Sequence, residues 1–127
     1  YDEAVNYAKT RIQFDKPIGG FQLVQAKLVE MLTDITLAQT LALRIGRLKD
    51  KGECTPQQIS MAKMNNVSNA LKHARMCRDI LGASGITFEY QCARHMLNLE
   101  SVNTYEGTED IHRLVLGEHI TGIPAYK

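Results

Sequence analysis

One run limits what this chain can fold into. From about Phe21 to Lys51, Val24, Leu28, Met31, Leu32, Ile35, Ala38, Ala42 and Ile45 recur every three or four residues, the period of one helical face. At about 1.5 Å per residue such a helix is about 45 Å long. An apolar stripe of that length needs other helices alongside it, and the rest of the chain supplies them. Gly52 stops the run, and Thr55-Pro56-Gln57-Gln58 starts the next, with Thr55 as N-cap, Pro56 in the first turn and Gln58 placed for a capping box. This helix is expected to reach Leu81, with Ile59, Ala62, Val67, Ala70, Ala74, Cys77 and Leu81 inward, and its small residues permit close helix approach. The glycine-rich turn Leu81-Gly82-Ala83-Ser84-Gly85 closes it.

The flanks read the same way. Tyr1, Ala4, Val5, Ala8 and Ile12 share one face, and that helix yields at Gln13–Gly20, where Pro17 and paired glycines break it. A short helix over about Glu89–Leu97 and a last one over about Glu109–Ile120, with Ile111, Leu114, Val115 and Ile120 apolar, complete the set. No segment alternates, so essentially no sheet is expected. The prediction is one all-α domain over residues 1–127, an antiparallel helical bundle. The chain begins at Tyr1, without Met and already in helical rhythm, as expected of a piece of a longer subunit.

Composition removes several function classes. A net charge of +1 gives no broad basic field for nucleic acid. No apolar run has membrane-spanning length and no signal-peptide pattern is present. Three cysteines, Cys54, Cys77 and Cys92, without CxxC spacing point to reduced thiols. Asn66-Val67-Ser68 is a formal sequon, but it lies within a helical pattern. Glu109-Asp110-Ile111-His112 has the Glu-x-x-His spacing of a di-iron bundle; that chemistry needs a second copy and two more inward Glu ligands, which the chain lacks, so no metal is expected. Cys77 reads as a small core residue, and His73, His95 and His119 have no orienting partner at a recognisable spacing.

The stretch Asn103-Thr104-Tyr105-Glu106-Gly107-Thr108-Glu109-Asp110-Ile111 holds the candidate chemistry. Glu106 stands between an aromatic ring and a glycine, ahead of the last helix. A ring that shields a carboxylate from water makes it a stronger base. Gly107 permits a sharp turn or the close approach of a flat ligand, and Thr108 is placed to cap the helix. Two readings are open on these residues alone: a catalytic carboxylate, or a capping loop with a solvated Glu. Gly82-Ala83-Ser84-Gly85 is likewise a phosphate cradle or a C-cap, and Arg11 an anion ligand or a solvated charge.

Arg11-Ile12-Gln13-Phe14-Asp15-Lys16-Pro17-Ile18, then Gln22, then Leu81-Gly82-Ala83-Ser84-Gly85-Ile86, then Tyr105-Glu106-Gly107-Thr108 together resemble the C-terminal helical domain of acyl-CoA dehydrogenases. The resemblance covers essentially the whole chain. Asn98-Leu99-Glu100, Val102–Thr108, Asp110-Ile111-His112 and the ending Ile120-Thr121-Gly122-Ile123 look most like the glutaryl-CoA dehydrogenase branch. The resemblance implies a homotetrameric FAD enzyme assembled through this bundle, in the cytoplasm of a bacterium or the mitochondrial matrix of a eukaryote. It implies Glu106 as the base that takes the α-proton of an acyl-CoA thioester, with the β-hydrogen leaving as hydride to the flavin. In the glutaryl branch CO₂ is then lost to give crotonyl-CoA, and electrons pass to an electron-transfer flavoprotein.

By the same resemblance, Tyr105 and Gly107 flank the substrate. Arg11, Gln13, Phe14, Ile18, Phe21 and Gln22, with Thr108 and Asp110 after the base, would contact FAD, while Asp79, Gly82 and Ala83 would meet it from the neighbouring subunit. Three positions depart from the family pattern: Ala83 where a second Gly is frequent, Ser84 where Asn is common, and Asp15 where Gly is usual. The alternatives are a short-chain acyl-CoA oxidase, and a non-catalytic helical assembly module. The isolated chain is expected to be inactive, because it lacks the family's segments for the flavin ring and most of CoA.

Overall fold

The computed structural model describes residues 1–126. Its helices are α1 (Asp2–Thr10), α2 (Gln22–Asp50), α3 (Pro56–Leu81), α4 (Cys92–Thr104) and α5 (Glu109–Thr121). α3 is the central element, against which each of the other four packs. Its start is built as the sequence demands: the Thr55 hydroxyl accepts the Gln58 N–H at 3.4 Å, and the Gln58 side chain accepts the Thr55 N–H at 2.9 Å. α2 and α3 run antiparallel. Lys27 pairs with Asp79, Asp34 with Lys72 and His73, and the Ala38 carbonyl accepts from Asn66, so partner numbers fall on one helix as they rise on the other.

The tightest core lies where α1, the start of α2 and the end of α3 converge: Ala4, Ala8, Ile18, Met31, Cys77, Ile80, Leu81 and Cys92 are buried together. Burial raises the Cys77 and Cys92 thiols, and all three cysteines are free. Away from this core the bundle is open. α5 buries no residue fully, and α2 leaves Leu23, Val29, Leu37 and Leu43 exposed to solvent. Leu32 and Ala42, expected inward, are exposed, as is Ile59 of α3. The stripe on α2 is wider than one neighbouring helix can cover.

Three expectations change. The first helix ends at Thr10, and Ile12-Gln13 (β1) pairs antiparallel with Lys16-Pro17 (β2), so the fold is all-α apart from one minimal hairpin. Its two turn residues, Phe14 and Asp15, have φ of 51° and 62°. Paired left-handed residues are what a two-residue hairpin turn requires, and they account for the usual Gly at the position of Asp15. The fourth helix begins three residues later and ends seven later than expected. Glu89–Gln91 is tied elsewhere, with Tyr90 edge-on to Tyr7 at 5.6 Å and the Gln91 N–H bound by Glu3 at 2.9 Å. Beyond Leu97 the helix continues because Leu99 and Val102 keep the inward spacing set by Cys92 and Met96. Finally, His73 does have an orienting partner, Asp34 Oδ2 at 3.0 Å, supplied by the neighbouring helix and therefore invisible in local spacing.

Candidate active site

The predicted site residues fall into two groups at opposite ends of α3. The first group lines a groove of about 770 Å³ between the hairpin, the start of α2 and the end of α3. Gln13, Phe14, Ile18, Phe21, Gln22, Asp79 and Gly82 all border it. An adjoining hollow of about 200 Å³ adds Arg11 and Ala83, together with Tyr7 and Ser84, whose hydroxyls lie 3.3 Å apart. Residues separated by more than sixty positions thus meet in one groove of one chain. Gln13–Gln22 and Asp79–Ala83, the two segments expected to contact FAD, therefore border the same groove.

Local backbone chemistry shapes the groove. The hairpin turn thrusts Phe14 out, 86% exposed and edge-on to Phe21. Lys16 Nζ sits 4.3 Å above the Phe21 ring. Ile18 is buried and forms the floor. Gly82 has φ 59° and ψ −131°, a conformation side chains avoid, and it leaves its backbone bare at the groove edge. Gly85 fixes the turn behind it: a Cβ there would lie 2.3 Å from the Arg78 carbonyl oxygen. At Ala83 an extra methyl is tolerated on an exposed face. Asp79 is held by Lys27 and Arg78, and the Lys27 ammonium keeps its carboxyl below the usual range.

The second group surrounds Glu106. α4 ends at Thr104, and the chain reverses through Glu106 at φ 55° and Gly107 at φ 91° before entering α5. The Thr108 hydroxyl caps α5 by accepting the Ile111 N–H at 3.3 Å, leaving its own proton free to donate. Asp110 and Glu109 both accept from Arg113, at 3.1 and 2.5 Å. Tyr105 is 54% exposed and Glu106 is exposed, so the expected shielding is not made within this chain. Thr108 and Asp110 stand with Glu106, not with the groove.

Two residues at this turn were missed or under-read from sequence. Lys63 Nζ donates to the carbonyl oxygens of Tyr105 and Gly107, each at 2.5 Å. The available signal was a lysine on the stripe Lys63, Val67, Ala70, Ala74, where an apolar residue is expected. His112, considered from sequence in the Glu-x-x-His spacing and the family motif, packs under the turn: a Cβ on Gly107 would sit 3.0 Å from its Nε2. Both ring nitrogens are buried without a hydrogen-bond partner among the described residues. No cluster of His, Cys, Asp and Glu among those residues could hold a metal ion. No helix among them is long and apolar enough to cross a membrane.

From residue 63 to residues 79–82, α3 rises about 24–28 Å. The carboxylate turn and the groove of one chain are therefore separate features of the bundle.

Known proteins share this fold. Residues 1–121 match the family described as acyl-CoA dehydrogenase, C-terminal domain. The crystal structure of a glutaryl-CoA dehydrogenase from Mycobacterium smegmatis superposes with a TM-score of 0.97 at 52% identity, over 99% of this chain and 33% of that one. A second M. smegmatis glutaryl-CoA dehydrogenase structure, in complex with FADH2, gives a TM-score of 0.97 at 45% identity, with the same coverage of each chain. The human mitochondrial short-chain specific acyl-CoA dehydrogenase is 34% identical over 121 residues, 94% of this chain and 29% of its own length. The chain spans about a third of the length of these relatives. A match over nearly all of its residues, in sequence and in fold, makes this chain a member of the acyl-CoA dehydrogenase family, corresponding to the family's C-terminal domain.

Proposed function

We propose that the chain is the helical C-terminal part of an FAD-dependent acyl-CoA dehydrogenase, with Glu106 as the base that removes the α-proton of the thioester. The observation that carries this reading is the left-handed turn at Glu106, which holds a carboxylate out from the bundle at the mouth of α5. Abstraction from carbon needs a base within about 3 Å of the reacting hydrogen in a site closed to water. Exposure of Glu106 and Tyr105 in this chain fits a site that the remainder of the subunit closes, with Tyr105 and Gly107 beside the substrate. FAD supplies the hydride acceptor when bound.

The groove suits the non-flavin end of such a cofactor. Phe14 and Phe21 offer aromatic surface, Arg11 and Lys16 offer cations for phosphate, and Gly82 offers a bare backbone. Gln13, Ile18, Gln22, Asp79 and Ala83 complete its wall, while Thr108 and Asp110 would serve the cofactor at the Glu106 end. The separation along α3 supports a reading in which the groove and the carboxylate turn of one chain serve two different cofactors. The division between subunits then falls between groove and turn. A homotetramer built through this bundle accommodates that division, and it is the kind of assembly that buries exposed apolar residues such as Leu23, Val29, Leu37 and Leu43 of α2.

The substrate we assign is glutaryl-CoA, oxidised and decarboxylated to crotonyl-CoA with electrons passed to an electron-transfer flavoprotein. Its support is the likeness to the M. smegmatis glutaryl-CoA dehydrogenase. The test is the full-length enzyme with FAD, assayed on a panel of acyl-CoA thioesters while CO₂ release is followed, wild type beside Glu106→Gln. The expected result is turnover with CO₂ from glutaryl-CoA, abolished in the variant with FAD retained. Dehydrogenation surviving in Glu106→Gln would overturn the assignment of the base.

A further inference from the structure

The Glu106 turn is exposed and short, yet it takes a conformation that an unsupported chain avoids. Glu106 and Gly107 are successive left-handed residues, and the first carries a side chain. What holds them is a cation from a distant part of the sequence. Lys63 Nζ binds the carbonyl oxygens on either side of Glu106 at 2.5 Å each and lies 5.7 Å from the centre of the Tyr105 ring. An ammonium has three donors and no fixed plane, so it can serve two converging carbonyls at once. On the other side the His112 ring fills the space beneath Gly107, but without hydrogen bonds, so it supports the turn by packing alone. Lys63 extends from α3, the helix that all the others pack against, so the clamp ties an exposed turn to the most firmly held element of the bundle.

We propose that Lys63 is the positioning residue for the base: its ammonium sets the turn that aims the Glu106 carboxylate, without touching substrate. The inference rests on the reading of Glu106 as the base. Proton removal from carbon tolerates little displacement, and a misplacement of about 1 Å costs about 100-fold in rate. Without the clamp, two carbonyls lose a charge-assisted donor and the left-handed turn can open.

The test uses the full-length, FAD-loaded enzyme as wild type, Lys63→Met, Lys63→Gln, Lys63→Arg and Glu106→Gln. Three quantities are read: kcat and KM, flavin absorbance, and wash-in of solvent deuterium at the α-carbon of an acyl-CoA analogue with sulfur in place of its β-carbon. Such an analogue exchanges its α-proton but cannot be oxidised. Lys63→Met should lower kcat and α-exchange together by about 100-fold, with KM within about twofold and flavin content unchanged. Lys63→Arg, which keeps a cationic donor, should recover about tenfold of that loss. If Lys63→Met does not fold, Lys63→Gln is judged by the same criteria. Exchange and kcat within about threefold of wild type would overturn the proposal, as would a loss accompanied by flavin release and no recovery in Lys63→Arg. Glu106→Gln separates the two ideas. If it still exchanges, the base is misassigned; if it does not while Lys63→Met does, only the role of Lys63 fails.

Discussion

Replacing Gly107 by alanine tests whether the shape of the carboxylate turn, rather than the mere presence of Glu106, governs proton removal. Two costs can be worked from the structure. Gly107 has φ 91°, where an L-residue is strained by about 1–2 kcal/mol. The new Cβ would also lie 3.0 Å from His112 Nε2 and 3.1 Å from Cε1, so the ring must recede by a few tenths of an ångström. Overpacking of this kind costs about 1–2 kcal/mol, at the lower end of its usual range. The sum, about 2–4 kcal/mol, is relieved most easily by opening the turn, because an exposed turn held by Lys63 yields more readily than α5, which is capped and packed along α3. If closed and open turns interconvert before chemistry, kcat falls by about 30- to 1000-fold. The assay is steady-state oxidation of the acyl-CoA substrate by full-length enzyme, with flavin absorbance as the control for intact cofactor binding. The double variant Gly107→Ala/His112→Ala removes the ring but leaves the backbone strain, so it should recover only part of the loss and stay about 5- to 30-fold below wild type. Turnover of Gly107→Ala within about threefold of wild type would refute the reasoning. Full recovery in the double variant would show that backbone strain plays no part.

Two further outcomes concern the bundle itself. The hydrogen bond to His73, with the Lys72 ammonium beyond it, holds the Asp34 carboxyl below its ordinary value of 3.8. A carboxyl depressed in the folded state stabilises above its unfolded value and stops doing so as pH falls through its folded value. The thermal midpoint of wild type should therefore exceed that of Asp34→Asn above about pH 4, and the gap should close on further acidification; a gap unchanged in acid would contradict the pairing. In the hairpin, Asp15→Val places a β-branched residue at φ 62° and should cost about 1–2 kcal/mol with weaker FAD retention, whereas Asp15→Gly should be neutral or stabilising by up to about 1 kcal/mol. Equal denaturation midpoints for the two variants would show that the turn carries no strain.

The helices were legible because their causes are local. Thr55-Pro56-Gln57-Gln58 contains its own capping box, Thr108 its own N-cap, and the stripe from Val24 to Ile45 its own period, so the ends of α2, α3 and α5 fall within a residue or two of expectation. The hairpin was missed because two ladder pairs produce no alternation to read, and because left-handed Phe14 and Asp15 lack the glycine that signals such a turn. The start of α4 was misplaced because contacts with Tyr7 and Glu3, more than eighty residues away, decide where that helix begins. The residues around Glu106 left a base and a solvated capping loop both open, and it was the family resemblance that implied the base; a lysine out of place on a helical stripe was there to be read. That Lys63 binds the two carbonyls beside Glu106, that His112 fills the space under Gly107, and that Gln13 and Gly82 share a groove are facts of packing. They follow from the antiparallel register of whole helices, which no local pattern encodes. The sequence alone determined the family, the helices and the candidate acid; tertiary structure alone decided that Lys63, which binds the turn at the acid, stands about 25 Å along α3 from the groove residues Asp79 and Gly82, because only the rise of a folded helix turns residue numbers into distance.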